Sequence, residues 1–525
     1  MLRIEKIQTK SQYKIEDAFK TILKGSLIVL IGVISGRGLD FVFKVMLARH
    51  FGPREYGLLS MALAIMIITS NIAVLGFNQG IARFVPLLQA KKEYGKLKKM
   101  VKFGAMTTGM AGIFLALILF FTSPAISRLL SDDNYLVGLI RLVCLVIPFL
   151  VLLNFSLGIL RGLKDMKAIV VSDEIVLWLT RILLLIVIIM LGVDIRGVPV
   201  VYFFSVLGVI ILVWIFIQKN RIFLHLQNTN DNISGFRELF LFSLPLSLST
   251  VTTMFRKRFD LVLIGLFLPA SQVGFYNAAL PIAALITIFL FAINRITLPI
   301  ASELLGQDKE REMAIVYKTV ARWTLIITLP VFFLIFLFPD IIIRLFFGHE
   351  YISASVALRI ISIGFFVNAA SGSFGEYLQS YGETKKVFWI SFIGTLINIL
   401  LMVIMIPKFG IEGAAMALTF SLICMCLLGM IFIYRYRVLS PFSKEYFRTL
   451  ILGSLIFANM LWLYPTFFGS RNIMYLLPLF VLCSCVYLAA LYFLHAFSEE
   501  DKRLFLVFKN RFLSKEAAGY EPSDE

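Results

Sequence analysis

RGLDFVFKVMLARHFGPREYG (residues 37–57) and KRFDLVLIGLFLPASQVGFYN (residues 257–277) are rough copies of each other, 220 residues apart. At this offset three residues are identical: Asp40 and Asp260, Val42 and Val262, and Tyr56 and Tyr276. Each copy begins on a cation and places several charges inside an apolar stretch long enough to cross a bilayer. One charge at the centre of a membrane helix costs about 2.5–3.5 kcal/mol. Charges that are kept twice at this cost predict a functional role.

The composition indicates a polytopic membrane protein with only α-helices. Apolar residues make up 59% of the 525 residues and charged residues 16%, and apolar runs of spanning length recur along the chain. We predict about fourteen transmembrane helices: 25–48, 56–76, 104–122, 138–160, 168–192, 199–218, 238–268, 272–294, 323–340, 353–381, 387–406, 411–434, 449–467 and 472–496.

Further landmarks repeat in the same order as the charged stretches. GLKDMK at 162–167 pairs with GETKK at 382–386, and IRGV at 195–198 pairs with IEGA at 411–414. FVP at 84–86 pairs with TLP at 297–299, and both of these motifs lead into a long charged inner loop (83–103 in the first half). Six spans separate equivalent landmarks, so both halves enter the membrane in the same direction, a parallel repeat typical of transporters. The predicted segments are an amphipathic cytoplasmic lead-in (1–24), an N-terminal six-helix lobe (25–218), a cytoplasmic linker (219–237), a C-terminal six-helix lobe (238–434), two additional transmembrane helices (449–496) and a cytoplasmic tail (497–525).

The distribution of the Lys and Arg residues that give the net charge of +18 matches one orientation in the membrane. With the N-terminus inside, about 35 Lys and Arg fall in the inner segments. The outer loops hold Arg54, Arg128, Arg196, Arg344, Lys408 and Arg471. This bias predicts a multi-pass protein of the cell membrane with both termini cytoplasmic, and it explains the basic charge without a nucleic-acid partner. No P-loop, GxSxG motif or metal-ligand spacing is present, so neither a catalytic centre, nor a cofactor, nor a metal site is predicted.

The two charged stretches predict a binding site for an anionic head group. Arg37, Asp40 and Lys44 share one face of the first span, and Arg256, Lys257, Arg258 and Asp260 crowd one turn of the seventh. Five cations face two carboxylates, which suits phosphate, because arginine binds phosphate in a bidentate manner. Internal ion pairs that only tie the two halves together are the alternative.

Further charged residues lie within other spans. Arg181, with Asp173 and Glu174 two turns closer to the cytoplasm, forms a secondary candidate site, although the two carboxylates also fit a position at the inner interface. Glu376 is a carboxylate in an otherwise apolar span. Together with Asp40 and Asp260 it is a candidate cleft carboxylate or a residue for ion coupling.

The quoted stretches resemble a known family. RGLDFVFKVMLARHFGPREYGLLSMALAI (37–65), NQGIARFVP (78–86), LRGLKDMK (160–167) and VGFYNAAL (273–280) are similar to the oligosaccharide flippases, the polysaccharide transporter branch of the multidrug/oligosaccharidyl-lipid/polysaccharide exporter superfamily. The resemblance implies two six-helix lobes around a cleft, alternating access, and movement of polyprenyl-(di)phosphate-linked oligosaccharide from the inner to the outer leaflet. It also implies contact with membrane lipids and with glycan-assembly proteins.

Other functions and energy sources remain open at this point. A peptidoglycan-precursor (lipid II) flippase shares the fold and a cationic cavity, a drug exporter of the superfamily favours an acidic cleft, and a polytopic sugar polymerase or ligase uses a large outer loop that this sequence lacks. The membrane potential, or countertransport of Na⁺ or H⁺, fits as the energy source.

Overall fold

The computed structural model describes residues 2–131, 133–219, 234–437, 440–460, 463–464 and 473–493, and every regular element in these ranges is a helix. The fold class predicted from the sequence, an all-α polytopic membrane protein, is confirmed. The α-helices are α1 (Leu2–Ala73), α2 (Phe77–Ala90), α3 (Tyr94–Leu130), α4 (Asn134–Gly162), α5 (Met166–Ile169), α6 (Leu177–Met190), α7 (Val198–Lys219), α8 (Ser234–Phe267), α9 (Ala270–Ala284), α10 (Ile288–Gly306), α11 (Glu310–Leu337), α12 (Pro339–Phe347), α13 (Ser355–Ala370), α14 (Phe374–Ser380), α15 (Thr384–Arg437), α16 (Lys444–Ala458) and α17 (Ile473–Phe493).

Nine of the helices in the described ranges are long and apolar enough to cross a membrane. Two of these nine contain a break that separates two predicted spans, because Gly52 (φ 76°) interrupts α1 and Gly410 (φ 61°) interrupts α15. Three predicted spans, 168–192, 238–268 and 449–467, coincide with helices outside this set of nine. The number of fourteen transmembrane spans therefore stays a prediction.

The chain divides into two compact units. Unit 1 comprises Met1–Ala284, Ile342–Gly364 and Lys385–Met425, and unit 2 comprises Leu285–Ile341, Phe365–Thr384 and Cys426–Glu525. The boundaries of the two six-helix lobes stay a prediction. Most of the predicted linker 219–237 and the whole tail 497–525 lie outside the described residues.

The prediction of a long loop at 83–103 is wrong. Helix α2 continues to Ala90 and α3 begins at Tyr94, so only three residues separate the two helices. The turn is a Schellman motif, in which Glu93 N donates to Leu88 O (2.9 Å) and Lys92 N donates to Gln89 O (3.0 Å). The high lysine content of this segment marks an exposed helix surface rather than a loop.

The same turn recurs at other helix ends in the described ranges and supports the internal repeat. At four of the ends, that of α2 included, a residue with positive φ follows the helix, and a leucine carbonyl accepts the hydrogen bond that spans five residues. The positive-φ residues are Lys92 (59°), Lys164 (60°), Asp308 (56°) and Gly382 (78°). Lys164, and not Gly162, is therefore the backbone equivalent of Gly382, at an offset of 218.

Equivalent residues of the two copies meet where α1 crosses α9, within unit 1. A Cβ on Gly57 would lie 1.7 Å from the carbonyl oxygen of Ala270, and a Cβ on Gly274 would lie 2.1 Å from the carbonyl oxygen of Pro53. Gly57 and Gly274 are 217 residues apart, and so are their partners Pro53 and Ala270. The contacts are thus related by a local two-fold symmetry. Such close approach of membrane helices requires small residues.

Polar side chains connect the helices beside this crossing. Asn277 Nδ2 donates hydrogen bonds to Ser60 Oγ (2.7 Å) and to Tyr56 Oη (3.0 Å). Ser60 and Asn277 are again 217 residues apart, so Tyr56 is not the structural equivalent of Tyr276. A hydrogen bond between membrane helices contributes about 0.6–2 kcal/mol.

In unit 2, hydrogen bonds from α16 and α11 support a helix break. Gly372 (φ 73°) separates α13 from α14 and frees backbone carbonyls at membrane depth. The Tyr446 hydroxyl, from α16, donates to Ala370 O (2.9 Å), and the Tyr317 hydroxyl donates to Ser371 O (3.2 Å). These hydrogen bonds satisfy backbone carbonyl groups, to which lipid offers no hydrogen-bond donor.

An ion pair also joins α16 to α11. Arg322, buried in α11, lies 3.8 Å from Glu445. The backbone N–H of Glu445 and the Ser443 hydroxyl hold the pKa of Glu445 below its usual range, so its carboxylate is charged at neutral pH. Side chains of α11, α16 and α17 also share one buried apolar cluster, so the two additional helices are integral to unit 2.

We predict that Gly57→Ala destabilises the protein, because its methyl group would force α1 away from Ala270; overpacking of this kind costs about 1–3 kcal/mol. Gly208→Ala is the matched control, since a Cβ at Gly208 meets nothing within 4 Å. Thermal unfolding in detergent should show a lower midpoint for Gly57→Ala alone. An unchanged midpoint would contradict the close crossing.

Candidate functional site

The first part of the site is the charged face of α1. Lys44 Nζ donates to Asp40 Oδ2 at 2.8 Å, and both side chains are about four-fifths buried. Arg37 lies one turn earlier and is exposed. Arg37 and Lys44 are within electrostatic range of each other. The sequence prediction that these three residues share a face is confirmed, and the pair shows that Asp40 offsets part of the charge of Lys44.

Helix α8 brings a second set of charges to the same region of unit 1. Arg258 lies within electrostatic range of Lys44 and of Asp260. Asp260 is buried, and its Oδ1 accepts from Leu261 N at 2.9 Å. Arg256 is half-buried, and the side chain of Lys257 lies outside the described residues. The two stretches predicted to act together therefore interact through Arg258.

Arg181 joins this region from α6, held by aromatic rings. Its guanidinium lies 4.6 Å from the ring centre of Trp178 and 4.2 Å from that of Tyr202, and its Nε donates to Ser205 Oγ at 3.3 Å. Asp40 and Asp173 lie within its electrostatic range. Cation–π contacts stabilise a desolvated guanidinium by about 2 kcal/mol. The secondary candidate site is thus continuous with the first one.

Asp173 and Glu174 lie in a π-helical segment, Val170–Val176, between α5 and α6. Both side chains are half-buried. Asp173 is within electrostatic range of Arg161 and Arg181, whereas Glu174 packs against Gly36 of α1. Both carboxylates therefore contact protein groups, and their position relative to the inner interface stays a prediction.

Glu376 belongs to unit 2, in the first turn of α14 just after the helix break. Nearby, Ser373 and Asn294 form a hydrogen bond between Oγ and Oδ1 at 2.5 Å. Its surroundings within unit 2 are therefore polar. An assignment of Glu376 to ion coupling stays a prediction.

The residues gathered in unit 1 form a cationic cluster that also contains carboxylates. Among the predicted site residues of unit 1 with described side chains, five are cations and four are carboxylates, and Lys257 in the same stretch of the sequence adds a sixth cation. The cations are Arg37, Lys44, Arg181, Arg256 and Arg258, and the carboxylates are Asp40, Asp173, Glu174 and Asp260. Arginines at membrane depth beside carboxylates can bind an anion bidentately and also release it.

Sequence reasoning missed the uncharged members of this cluster. Trp178 and Tyr202 enclose Arg181, and the Tyr276 hydroxyl lies near the Asp260 carboxylate without the geometry of a regular hydrogen bond. The spacing of Trp178 and Arg181, three residues apart, was a signal for the first contact. The contact with Tyr202 comes from another helix and has no signal in the local sequence.

Comparisons with known proteins agree with this architecture. Residues 22–305 match the family model of polysaccharide biosynthesis proteins, and residues 245–404 match the MatE model. Uncharacterized membrane protein MJ1068 of Methanocaldococcus jannaschii is 23% identical over 82% of this chain and 87% of its own length. The probable low-salt glycan biosynthesis flippase Agl15 of Haloferax volcanii is 27% identical over 46% of this chain and 51% of its own length.

The fold is that of a solved transporter. The structure of lipid II flippase MurJ in an inward closed conformation aligns with a TM-score of 0.71, at 18% identity, over 89% of this chain and 99% of that one. The first family model covers more than half of the chain. The protein is therefore an integral membrane transporter that belongs to the polysaccharide biosynthesis protein family of the multidrug/oligosaccharidyl-lipid/polysaccharide exporter superfamily.

Proposed function

We propose that the protein moves polyprenyl-(di)phosphate-linked oligosaccharide from the cytoplasmic to the outer leaflet by alternating access. The observation that carries this proposal is the arginine-rich cluster of unit 1, in which Arg258 of α8 interacts with Lys44 of α1. A lipid-linked saccharide has an anionic diphosphate between a polar glycan and an apolar tail. The arginines suit the diphosphate, and a hydrated path would shelter the glycan while the tail stays in lipid.

The relatives support the same substrate class. The name of Agl15 describes a flippase of glycan biosynthesis, and the family model describes polysaccharide biosynthesis. Lipid II is the second candidate substrate, favoured by the likeness to the MurJ structure. Family membership favours transport over the alternative of a sugar polymerase or ligase.

We predict that Arg37→Ala and Arg258→Ala each reduce transport by at least about tenfold, because a charge-assisted bond to phosphate is lost. Lysine at either position should restore transport in part, since the charge remains while bidentate geometry is lost. In proteoliposomes loaded with lipid-linked oligosaccharide or lipid II, impermeant periodate would measure the outward-facing sugar.

The matched control is Arg311→Ala, an exposed arginine in the first turn of α11. All variants should accumulate normally in the membrane. Full transport of both substrates by both alanine variants would refute the proposed anion site. Transport of lipid II alone by the native protein would select the second candidate.

The energy source is proposed to be the membrane potential. Outward movement of two negative charges across a potential that is negative inside gains about 4.6 kcal/mol per 100 mV, from about 2.3 kcal/mol per charge. Coupling to Na⁺ or H⁺ through Asp40, Asp260 or Glu376 is the alternative.

Asp260→Asn separates these mechanisms. Without the carboxylate the cluster is more cationic at almost constant volume, so the anion should bind at least as tightly and leave more slowly. We predict a lower maximum rate and an unchanged or lower apparent KM, with potential and ion gradients set separately in vesicles. Loss of a dependence on the Na⁺ or H⁺ gradient would instead assign ion coupling to Asp260, and unchanged flux under every gradient would reject both roles.

Both termini are proposed to be cytoplasmic, on the strength of the charge bias. With the five native cysteines replaced, Lys98→Cys and Arg311→Cys should resist an impermeant maleimide applied to intact cells, whereas Arg128→Cys should react. All three native side chains are exposed. Labelling of Lys98→Cys from outside would contradict this orientation.

A further inference from the structure

Helix α1 touches the π-helical segment Val170–Val176 through two glycines. A Cβ on Gly32 would lie 2.2 Å from Val170 Cγ1, and a Cβ on Gly36 would lie 2.3 Å from Glu174 Oε2 and 2.9 Å from Glu174 O. Gly32 and Gly36 are one turn apart and form a GxxxG face, which permits such backbone approach. The glutamate carboxylate thus rests directly on the backbone of α1.

The position of this contact matters because of its neighbours. Gly36 immediately precedes Arg37 and lies one helical turn before Asp40. Glu174 and Asp40 therefore occupy the same side of α1, about one turn apart. The part of α1 that carries the first half of the charged cluster cannot move against Val170–Val176 without displacing Glu174.

The segment that carries Glu174 is π-helical. π-helical turns are rare and frequently occur at functional sites. Adjacent side chains of a helix point in different directions, and here Asp173 interacts with Arg161 and Arg181 while Glu174 packs on Gly36. The two consecutive carboxylates therefore contact two different parts of the cluster.

We propose that Glu174 is a positioning residue for the anionic substrate: it holds the segment of α1 that carries Arg37, and its negative charge promotes release of the bound anion. This inference rests on the proposed transport of an anionic lipid-linked saccharide. It adds the positioning of α1, which neither the cations nor Asp40 and Asp260 supply, and it gives Glu174 a part in anion release beside that proposed for Asp260.

Glu174→Gln tests the charge while keeping the shape. Removal of one negative charge close to the anion should lower the apparent KM for lipid-linked oligosaccharide and lower the maximum rate, each by up to about tenfold. The rate should also become more sensitive to ionic strength. A residue that only packs helices together would shift neither KM nor salt dependence in this way.

Gly36→Ala tests the position, with Gly38→Ala as the matched control. Both changes add one methyl group to the same helix, but a Cβ at Gly38 meets nothing within 4 Å. Gly36→Ala should reduce the maximum rate about tenfold, and Gly38→Ala should remain within about twofold of the native rate. In Gly36→Ala/Glu174→Asp the shorter side chain withdraws the carboxylate and should restore part of the lost rate.

The outcomes separate this inference from the proposed function. If Arg37→Ala is inactive while Glu174→Gln keeps the native KM, rate and salt dependence, the role of Glu174 is refuted and the anion site stands. If Arg37→Ala and Arg258→Ala both transport normally, the anion site itself fails. If Gly36→Ala does not accumulate in the membrane, Glu174→Gln still tests the role of Glu174, because it adds no atoms to the contact.

Discussion

The rest of the structure depends on the cost of placing charge inside a membrane. A single ionised side chain at the bilayer centre costs about 2.5–3.5 kcal/mol by insertion scales. The charges gathered in unit 1 are stabilised by different partners: Lys44 by Asp40, Arg181 by the rings of Trp178 and Tyr202, and Asp260 by a backbone N–H. These partners offset part of the cost of burying the charges, and Arg37 remains exposed.

Glycines make this clustering geometrically possible. Lipid supplies no hydrophobic force between helices, so association depends on close packing and polar contacts. Gly36 brings α1 against Glu174, and Gly57 with Gly274 brings α1 against α9. At both contacts a polar side chain lies at or beside the crossing, Glu174 in the first and Asn277 in the second. Close backbone approach and polar recognition are therefore coupled in this fold.

The sequence predicts features that depend on local periodicity. The fold class and the shared face of Asp40 and Lys44 follow from apolar runs and helical spacing, and the structure confirms both. Features that depend on tertiary contact were missed. The 217-residue offset between Gly57 and Gly274 becomes visible only in the contact between α1 and α9. Nothing in VVSDEIV (170–176) indicates a π-helix or the contact of Glu174 with α1.

The presence of carboxylates beside the cations bears on how a carrier works. A site that binds an anion through uncompensated cations in a region of low dielectric would release it slowly, whereas transport requires binding that is weak enough to reverse. Carboxylates within the cluster reduce the excess without removing the arginines that recognise phosphate. On the proposed function, Asp40 and Asp260 are then part of the turnover machinery. This gives a physical reason why aspartate, rather than only the cations, is identical in both copies of the stretch that begins at Arg37 and at Lys257.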